Sequence, residues 1–346
     1  MKNPLVSILI PTYNQPEYFR QALESALNQT YPNIEIIVSD DSTDDRVEKV
    51  ASEYKDRIQF FKHESVGNST GDRIVSNIEN LLELSHGEFI NILFHDDLIY
   101  PQKISKMMDY FLDEIGKQIA VISSARNVID RNGKLRFKSD LIEELNLYQN
   151  DESLIIPGES VGRLILFKCG NFAGELSTSL IRREDFYRSC VKKLSPGYFL
   201  GVKDQSMWDI STYLEACKDG RALAFFREPL SAFRLAGGNQ NTYDGNVRLI
   251  VVVDWLAFIT AAYLNDIYIH NRVEFGIACD YWLSIADEMI REVNKNSKLK
   301  IAPELIDQIL RAFESVIMRD YETAFEIGVS WIQKYSFDTF DARYLP

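Results

Sequence analysis

Five carboxylates stand where this chain could do chemistry: the pairs Asp40-Asp41 and Asp96-Asp97, each closing an apolar run, and the single Asp204 after Gly201-Val202-Lys203. Hard cations such as Mn²⁺ or Mg²⁺ take oxygen ligands and commonly bridge one or two carboxylates to a phosphate. A lone carboxylate can instead take the proton of a hydroxyl. For one Asp pair in isolation the simpler account is a capped turn, since Asp favours both caps and turns. What changes the balance is the position of the pairs along the chain.

Each pair sits at the end of a strand. Leu5-Val6-Ser7-Ile8-Leu9-Ile10 is a continuous apolar run, as expected of a central parallel strand covered on both faces, and it closes on Pro11, Thr12 and Tyr13. Ile34–Val38 leads to Asp40-Asp41, and Phe89–Phe94 leads to His95-Asp96-Asp97. Helical spacing separates these runs: Phe19, Ala22, Leu23, Ala26 and Leu27 after Pro16, then Val47, Val50 and Ala51, then Ile74, Ile78, Leu81 and Leu82. Alternating strand and helix predicts an α/β fold with a mostly parallel, doubly wound sheet. In such a sheet the strand ends lie side by side and line one crevice. Thr12-Tyr13, Asp40-Asp41 and Asp96-Asp97 are therefore expected together.

Farther on, Ile119–Ala125 reads as a strand, and Asn132-Gly133 as a hairpin turn. Residues 139–157 read as a loop or flap. Asp204 is placed at the start of a helix carrying Met207, Ile210, Leu214 and Ala216. From about residue 246 the spacing is helical almost throughout, which predicts an appended all-helical domain. The expected division is 1–240, with 1–100 binding the ligand and 101–240 shaping an acceptor side, followed by 241–346.

A formal net charge of −13 over 346 residues argues against general nucleic-acid binding, which needs many basic contacts. The same acidity makes a phosphate ligand dependent on a cation and a few local basic groups. Neither the dinucleotide fingerprint nor the P-loop pattern follows any strand, which weakens dehydrogenase and ATPase readings. Cys169, Cys190, Cys217 and Cys279 show no metal or redox spacing and read as reduced thiols of a cytoplasmic protein. No secretion signal opens the sequence, and Leu249–Leu264 is broken by Asp254 and falls short of the roughly 18 apolar residues of a membrane span.

Four segments carry a resemblance: Val6–Asn14, Ala26–Tyr31, Ile36–Asp44, and Gly87-Glu88-Phe89-Ile90 with Asp96-Asp97. In this order and spacing they resemble the family-two inverting glycosyltransferases of the GT-A fold. The resemblance is strong over roughly the first hundred residues, weak to about Arg234, and absent from the helical tail. It implies that Pro11, Thr12 and Tyr13 border the base of a UDP-sugar, with Tyr13 stacking on it. It implies that Asp41 accepts from the base, that Arg73 meets base or diphosphate, that Asp96 contacts ribose or sugar, and that Asp97 holds Mn²⁺ or Mg²⁺. Asp204 matches the place of the family's general base, with Lys203 where a Glu is usual. Phe233-Arg234-Leu235 resembles a late segment whose Arg would meet the diphosphate, but the His that often follows is missing.

The implied activity is metal-assisted transfer of one sugar from a UDP-sugar to a hydroxyl of a glycan, glycolipid or glycoprotein. Peripheral contact with the inner membrane face and a homodimer through the helical domain are both compatible with it. Lys203 and the missing His favour a rival, a nucleotide-sugar-binding partner without turnover. A nucleotidyltransferase is a second rival, weakened by the lack of a basic Gly-rich loop after the first strand.

Overall fold

A computed structural model describes residues 3–64, 70–139, 153–188, 198–200, 202–203, 207–235, 245–294 and 303–335. In chain order the elements are β1 (Val6–Thr12), α1 (Pro16–Leu27), β2 (Ile34–Asp40), α2 (Arg46–Ser52), β3 (Gln59–Lys62), α3 (Thr70–Leu84), β4 (Phe89–Ile92), β5 (Leu98–Ile99), α4 (Lys103–Leu112), β6 (Ile119–Asp130), β7 (Leu135–Ser139) and β8 (Ser153–Ile156). They continue with α5 (Gly158–Lys168), β9 (Leu180–Arg182), α6 (Arg183–Arg188), β10 (Tyr198–Phe199), β11 (Val202–Lys203), α7 (Trp208–Cys217) and β12 (Ala222–Leu235). Four helices close the chain: α8 (Gly245–Leu264), α9 (Arg272–Asn294), α10 (Pro303–Ile317) and α11 (Tyr321–Tyr335).

Two compact units result. One comprises Met1–Gly158, Phe172–Pro196 and Asp219–Gly237; the other comprises Glu159–Asn171, Gly197–Lys218 and Gly238–Pro346. In space, then, the division is discontinuous, whereas the boundary read from the sequence is a single cut near residue 240.

The first unit is built on one sheet in the order β3-β2-β1-β4-β9-β6-β12-β5, with β7 on β6 and β8 on β12. Every residue of β1 is buried, as its unbroken apolar run requires. β1 runs parallel to β2, pairing Val6 with Ile34 and Thr12 with Asp40, and parallel to β4, pairing Val6 with Phe89 and Leu9 with Ile92. That register brings the ends of β2, β1 and β4 to one edge.

Gly87 makes the approach of β4 possible. A Cβ there would lie 2.5 Å from both the Ser7 nitrogen and its Oγ, and the Gly87 N–H donates to Ser7 Oγ at 2.8 Å. Beyond β4 the sheet is mixed: β9 returns antiparallel to both β4 and β6, while β12 lies parallel to β6. The Asn132-Gly133 turn joins β6 to the antiparallel β7, with Gly133 at φ +81°.

In the second unit α8 buries Val252, Trp255, Leu256, Phe258 and Ile259, in keeping with the apolar runs on either side of Asp254. Trp282 of α9 is fully buried and donates through Nε1 to the Val252 carbonyl at 2.8 Å. Among the described residues no helix is long and apolar enough to cross a membrane.

Helix α7 starts at Trp208, not at Asp204. The chain is still extended at Lys203, which pairs with Tyr198 across the β10–β11 hairpin. Asp204 itself, like residues 140–152 of the expected flap, lies outside the described residues.

Candidate functional site

At the end of β2 the two neighbouring carboxylates have different surroundings. Asp40 is fully buried; Oδ1 accepts from the Ser42 amide at 3.0 Å and from the Ser42 hydroxyl, and Oδ2 accepts from Lys62 Nζ at 2.8 Å. It binds the strand end to the following turn. Asn14, at φ +52°, links the turn after β1 to the same place, accepting at Oδ1 from the Thr43 amide at 2.9 Å.

Asp41 is held more loosely and from another side. Arg73 Nη2 donates to Oδ2 and Asn77 Nδ2 to Oδ1, each at 3.4 Å, beyond the usual range for such bonds. Both donors come from α3, one turn apart. The Arg73 guanidinium also lies over the Tyr13 ring, 5.1 Å from its centroid, and Tyr13 is 38% exposed. Tyr13, Asp41 and Arg73 thus form one cluster, with a flat aromatic face and a cation open to solvent.

At the end of β4 the arrangement is tighter. Asp97 is buried, and its Oδ1 accepts from the Arg234 backbone N–H at 3.1 Å. Arg234 is also fully buried: Nε donates to the Asp96 carbonyl at 2.8 Å, Nη2 to Gln21 Oε1 at 2.8 Å, and Nη1 to the Asp130 and Arg131 carbonyls at 3.3 Å each. The Tyr18 ring covers the guanidinium from 4.6 Å. Placed this way, Arg234 fixes the Asp96-Asp97 turn against β12 through its own peptide and side chain. Pro11 is buried behind this turn, its carbonyl oxygen 3.3 Å from His95 Nδ1, and Thr12 Oγ1 is buried without a partner.

The charge balance at this end is unusual. Burial, the neighbouring Asp96 and Glu175 together push the Asp97 carboxyl well above the usual carboxylate range, against hydrogen bonds from Ser177 and the Arg234 peptide. Lys103 is fully buried beside them and donates to the Ser177 carbonyl; burial lowers its ammonium to about 7, with Asp97 opposing the shift. Glu175 pairs with Arg126, whose guanidinium lies over Phe233 at 5.0 Å. Gly174, at φ +86°, lets this pair close: a Cβ would lie 2.8 Å from Thr178 Oγ1 and 3.3 Å from Arg126 Nη1.

Among the described residues no three of His, Cys, Asp and Glu form a metal cage. What is present is a buried carboxylate, Asp97, whose ionisation is disfavoured first by burial and then by Asp96 and Glu175. Mg²⁺-type ions need only one or two carboxylates when phosphate oxygens and waters complete the shell, so this donor set fits such an ion.

The strand pattern predicts Tyr13, Asp41, Asp96 and Asp97 at one edge and the resemblance adds Arg73 and Arg234; neither points to Asn77, Lys103 or Glu175. Asn77 and Asn80 extend from Arg73 as a polar row along α3, and Asn80 Nδ2 donates to Ser39 Oγ at 2.9 Å. That row is a signal the apolar spacing of the helix hides. Nothing local marks Lys103 or Glu175, whose partners are set by the antiparallel return of β9.

Comparison with known proteins agrees with the geometry. The family model described as Glycosyl transferase family 2 matches residues 7–169. An uncharacterized glycosyltransferase of Haemophilus influenzae is 30% identical over 233 residues, covering 67% of this chain and 80% of that protein. Another, of Rickettsia conorii, is 39% identical over 333 residues, 93% of this chain and 52% of the relative. The chain spans about half the length of the longer Rickettsia relatives it matches. Among solved structures, S. aureus TarS 1–349 in complex with UDP-GlcNAc superposes with a TM-score of 0.52 at 15% identity, covering 97% of this chain and 94% of that one. The mannosyltransferase PcManGT from Pyrobaculum calidifontis, in complex with GDP-Man and Mn²⁺, gives 0.51 at 14% identity, covering 98% and 88%. Both share the fold.

Proposed function

The chain belongs to glycosyltransferase family 2, and on that footing we propose that it moves one sugar from a UDP-sugar to a hydroxyl of a growing glycan, lipid-linked or protein-linked, with inversion. The observation that carries this reading is the joint placement, at one sheet edge, of Tyr13, Arg73 and Asp41 beside the carboxylates that follow β4. One neighbour in fold was solved with UDP-GlcNAc and another with GDP-Man, so the fold leaves the base open and the residues must choose it.

In this reading Tyr13 supplies a face for the base, Asp41 accepts its imide N–H, and Arg73 offers charge to the base or the first phosphate. Asp97 would hold Mn²⁺ or Mg²⁺, and Asp96 would contact the ribose or the sugar. When bound, such an ion offsets the charge that develops on the departing diphosphate. Arg234 keeps the turn that carries both carboxylates in place, a supporting role in contrast to the diphosphate contact that the resemblance implies. Asp204 is the proposed base, which takes the proton of the acceptor hydroxyl on the face opposite the leaving UDP.

Release of UDP from a panel of UDP-sugars with glycan acceptors and Mn²⁺ tests the activity. The Asp204→Asn variant should keep UDP binding and lose transfer; unchanged transfer removes Asp204 from the mechanism. Lys203 favours the second reading, a binding partner without turnover. UDP binding with no transfer across a broad acceptor set would establish that reading instead.

A further inference from the structure

The position of Asn77 has no explanation in packing. Its side chain is 3% exposed on α3, and its carbonyl oxygen is buried without a hydrogen-bond partner. A buried amide with one unpaired oxygen is costly, and an apolar residue of the same size would remove that cost. The amide's other end donates to Asp41 Oδ1, while Arg73, one turn earlier, donates to Oδ2. The row continues along α3, where Asn80 donates to Ser39 of β2 at 2.9 Å.

These contacts leave the carboxylate asymmetric. On one side Oδ1 faces the buried amide; on the other, Oδ2 faces the half-exposed Arg73 and, beyond it, the exposed ring of Tyr13. We infer that Asn77 is the specificity-determining residue of the nucleotide pocket, holding Asp41 so that a single carboxylate oxygen is offered to the incoming base. This rests on the nucleotide-sugar reading above.

The chemical consequence is selection of the base by its donor pattern. Uracil presents one N–H between two carbonyl oxygens, so one acceptor satisfies it. Guanine presents an N–H beside an amino group, and its best partner is a carboxylate with both oxygens free. With Oδ1 turned to the buried Asn77 amide, the oxygen on the side of the half-exposed Arg73 is the one a base can reach, so guanine would leave a donor unpaired, and a site that leaves polar groups unpaired rejects strongly. Asn77 acts through Asp41, and touches no reacting atom.

The test is calorimetric titration of the whole chain with UDP and GDP, in the presence of Mn²⁺, for the wild type, Asn77→Leu and Asn77→Ala, with folding checked by circular dichroism. The wild type should prefer UDP. Asn77→Leu, which removes the donor at nearly constant volume, should narrow the UDP-over-GDP ratio by about tenfold, on the scale of one lost hydrogen bond to a charged group. Asn77→Ala supplies the same reading where the larger substitution does not fold. A simple structural role would weaken both nucleotides in proportion and leave the ratio alone. A folded variant with an unchanged ratio, or a wild type that prefers GDP, overturns the assignment. Binding of neither nucleotide by the wild type is a different result, which removes the nucleotide-sugar reading itself.

Discussion

Two Asp-Asp pairs end neighbouring strands of one sheet, yet the fold treats them in opposite order. At the end of β2 the first carboxylate, Asp40, is buried and saturated by Ser42 and Lys62, and the second, Asp41, faces the open cluster of Tyr13 and Arg73. At the end of β4 the second carboxylate, Asp97, is buried, and Asp96 is partly exposed. The two buried members differ as well. Asp40 has a cation on it at 2.8 Å. Asp97 is surrounded by burial, Asp96 and Glu175, all of which oppose its charge. A buried carboxylate with its counter-ion hydrogen-bonded to it holds structure together; Asp97 has instead only the neighbouring Lys103, whose own charge burial disfavours, and is suited to receiving a cation from outside.

The largest effect should come from Asp97→Asn. Transfer should fall by about a thousandfold, the scale of a lost electrostatic partner of the leaving group. Its urea midpoint should be unchanged or higher, because the substitution removes a charge that burial disfavours. A clear loss of stability with transfer intact would make Asp97 a second Asp40.

Asp40→Asn is the matching experiment. Loss of a buried, hydrogen-bonded carboxylate with a partly exposed lysine partner should lower unfolding free energy by about 2 kcal/mol. The ratio of UDP to GDP affinity in the folded variant should not move. Chemical denaturation and nucleotide titration check the two halves of this expectation.

Lys103→Met is read in the pH dependence of stability, where its sign is informative. With the folded ammonium lowered to about 7, the unfolded chain binds more protons between that pH and the ordinary lysine range. Stability from this group therefore rises with pH across that window, by at most about 1.4 kcal/mol per pH unit. The raised Asp97 carboxyl acts in the opposite direction up to its own folded value, since there the folded state retains the extra proton. Compared with the wild type, Lys103→Met should lose the rise between pH 7 and pH 9 in urea midpoints. Parallel pH profiles would show that the lysine remains charged in the fold.

Much of this was legible in the chain. Continuous apolar runs ending in Thr12-Tyr13, Asp40-Asp41 and Asp96-Asp97 state both the strands and the edge where the site must lie, because parallel strands align their ends. Arg73 could be placed by resemblance. Burial was not legible: which Asp of a pair turns inward depends on Lys62 from the next strand and on Arg234, 137 positions beyond Asp97. Lys103 reads as the polar start of a helix until β9 returns antiparallel and Ser177 covers it. The mixed half of the sheet is equally hidden, since β9 is three residues long and has no periodicity to read. Asn77 sits beside Ile74, Ile78 and Leu81, the apolar face of α3, where a polar residue looks like the margin of that face.

The division of labour between the two strand ends is the central claim, and UDP titration with and without Mn²⁺ tests it most directly. Wild type should bind UDP and bind it more tightly with Mn²⁺. Asp97→Asn should retain the weaker, metal-independent binding, whereas Asp41→Asn should bind UDP about tenfold or more weakly under both conditions while keeping the Mn²⁺ effect. A Mn²⁺ effect of full size in Asp97→Asn, or one lost in Asp41→Asn, would contradict it.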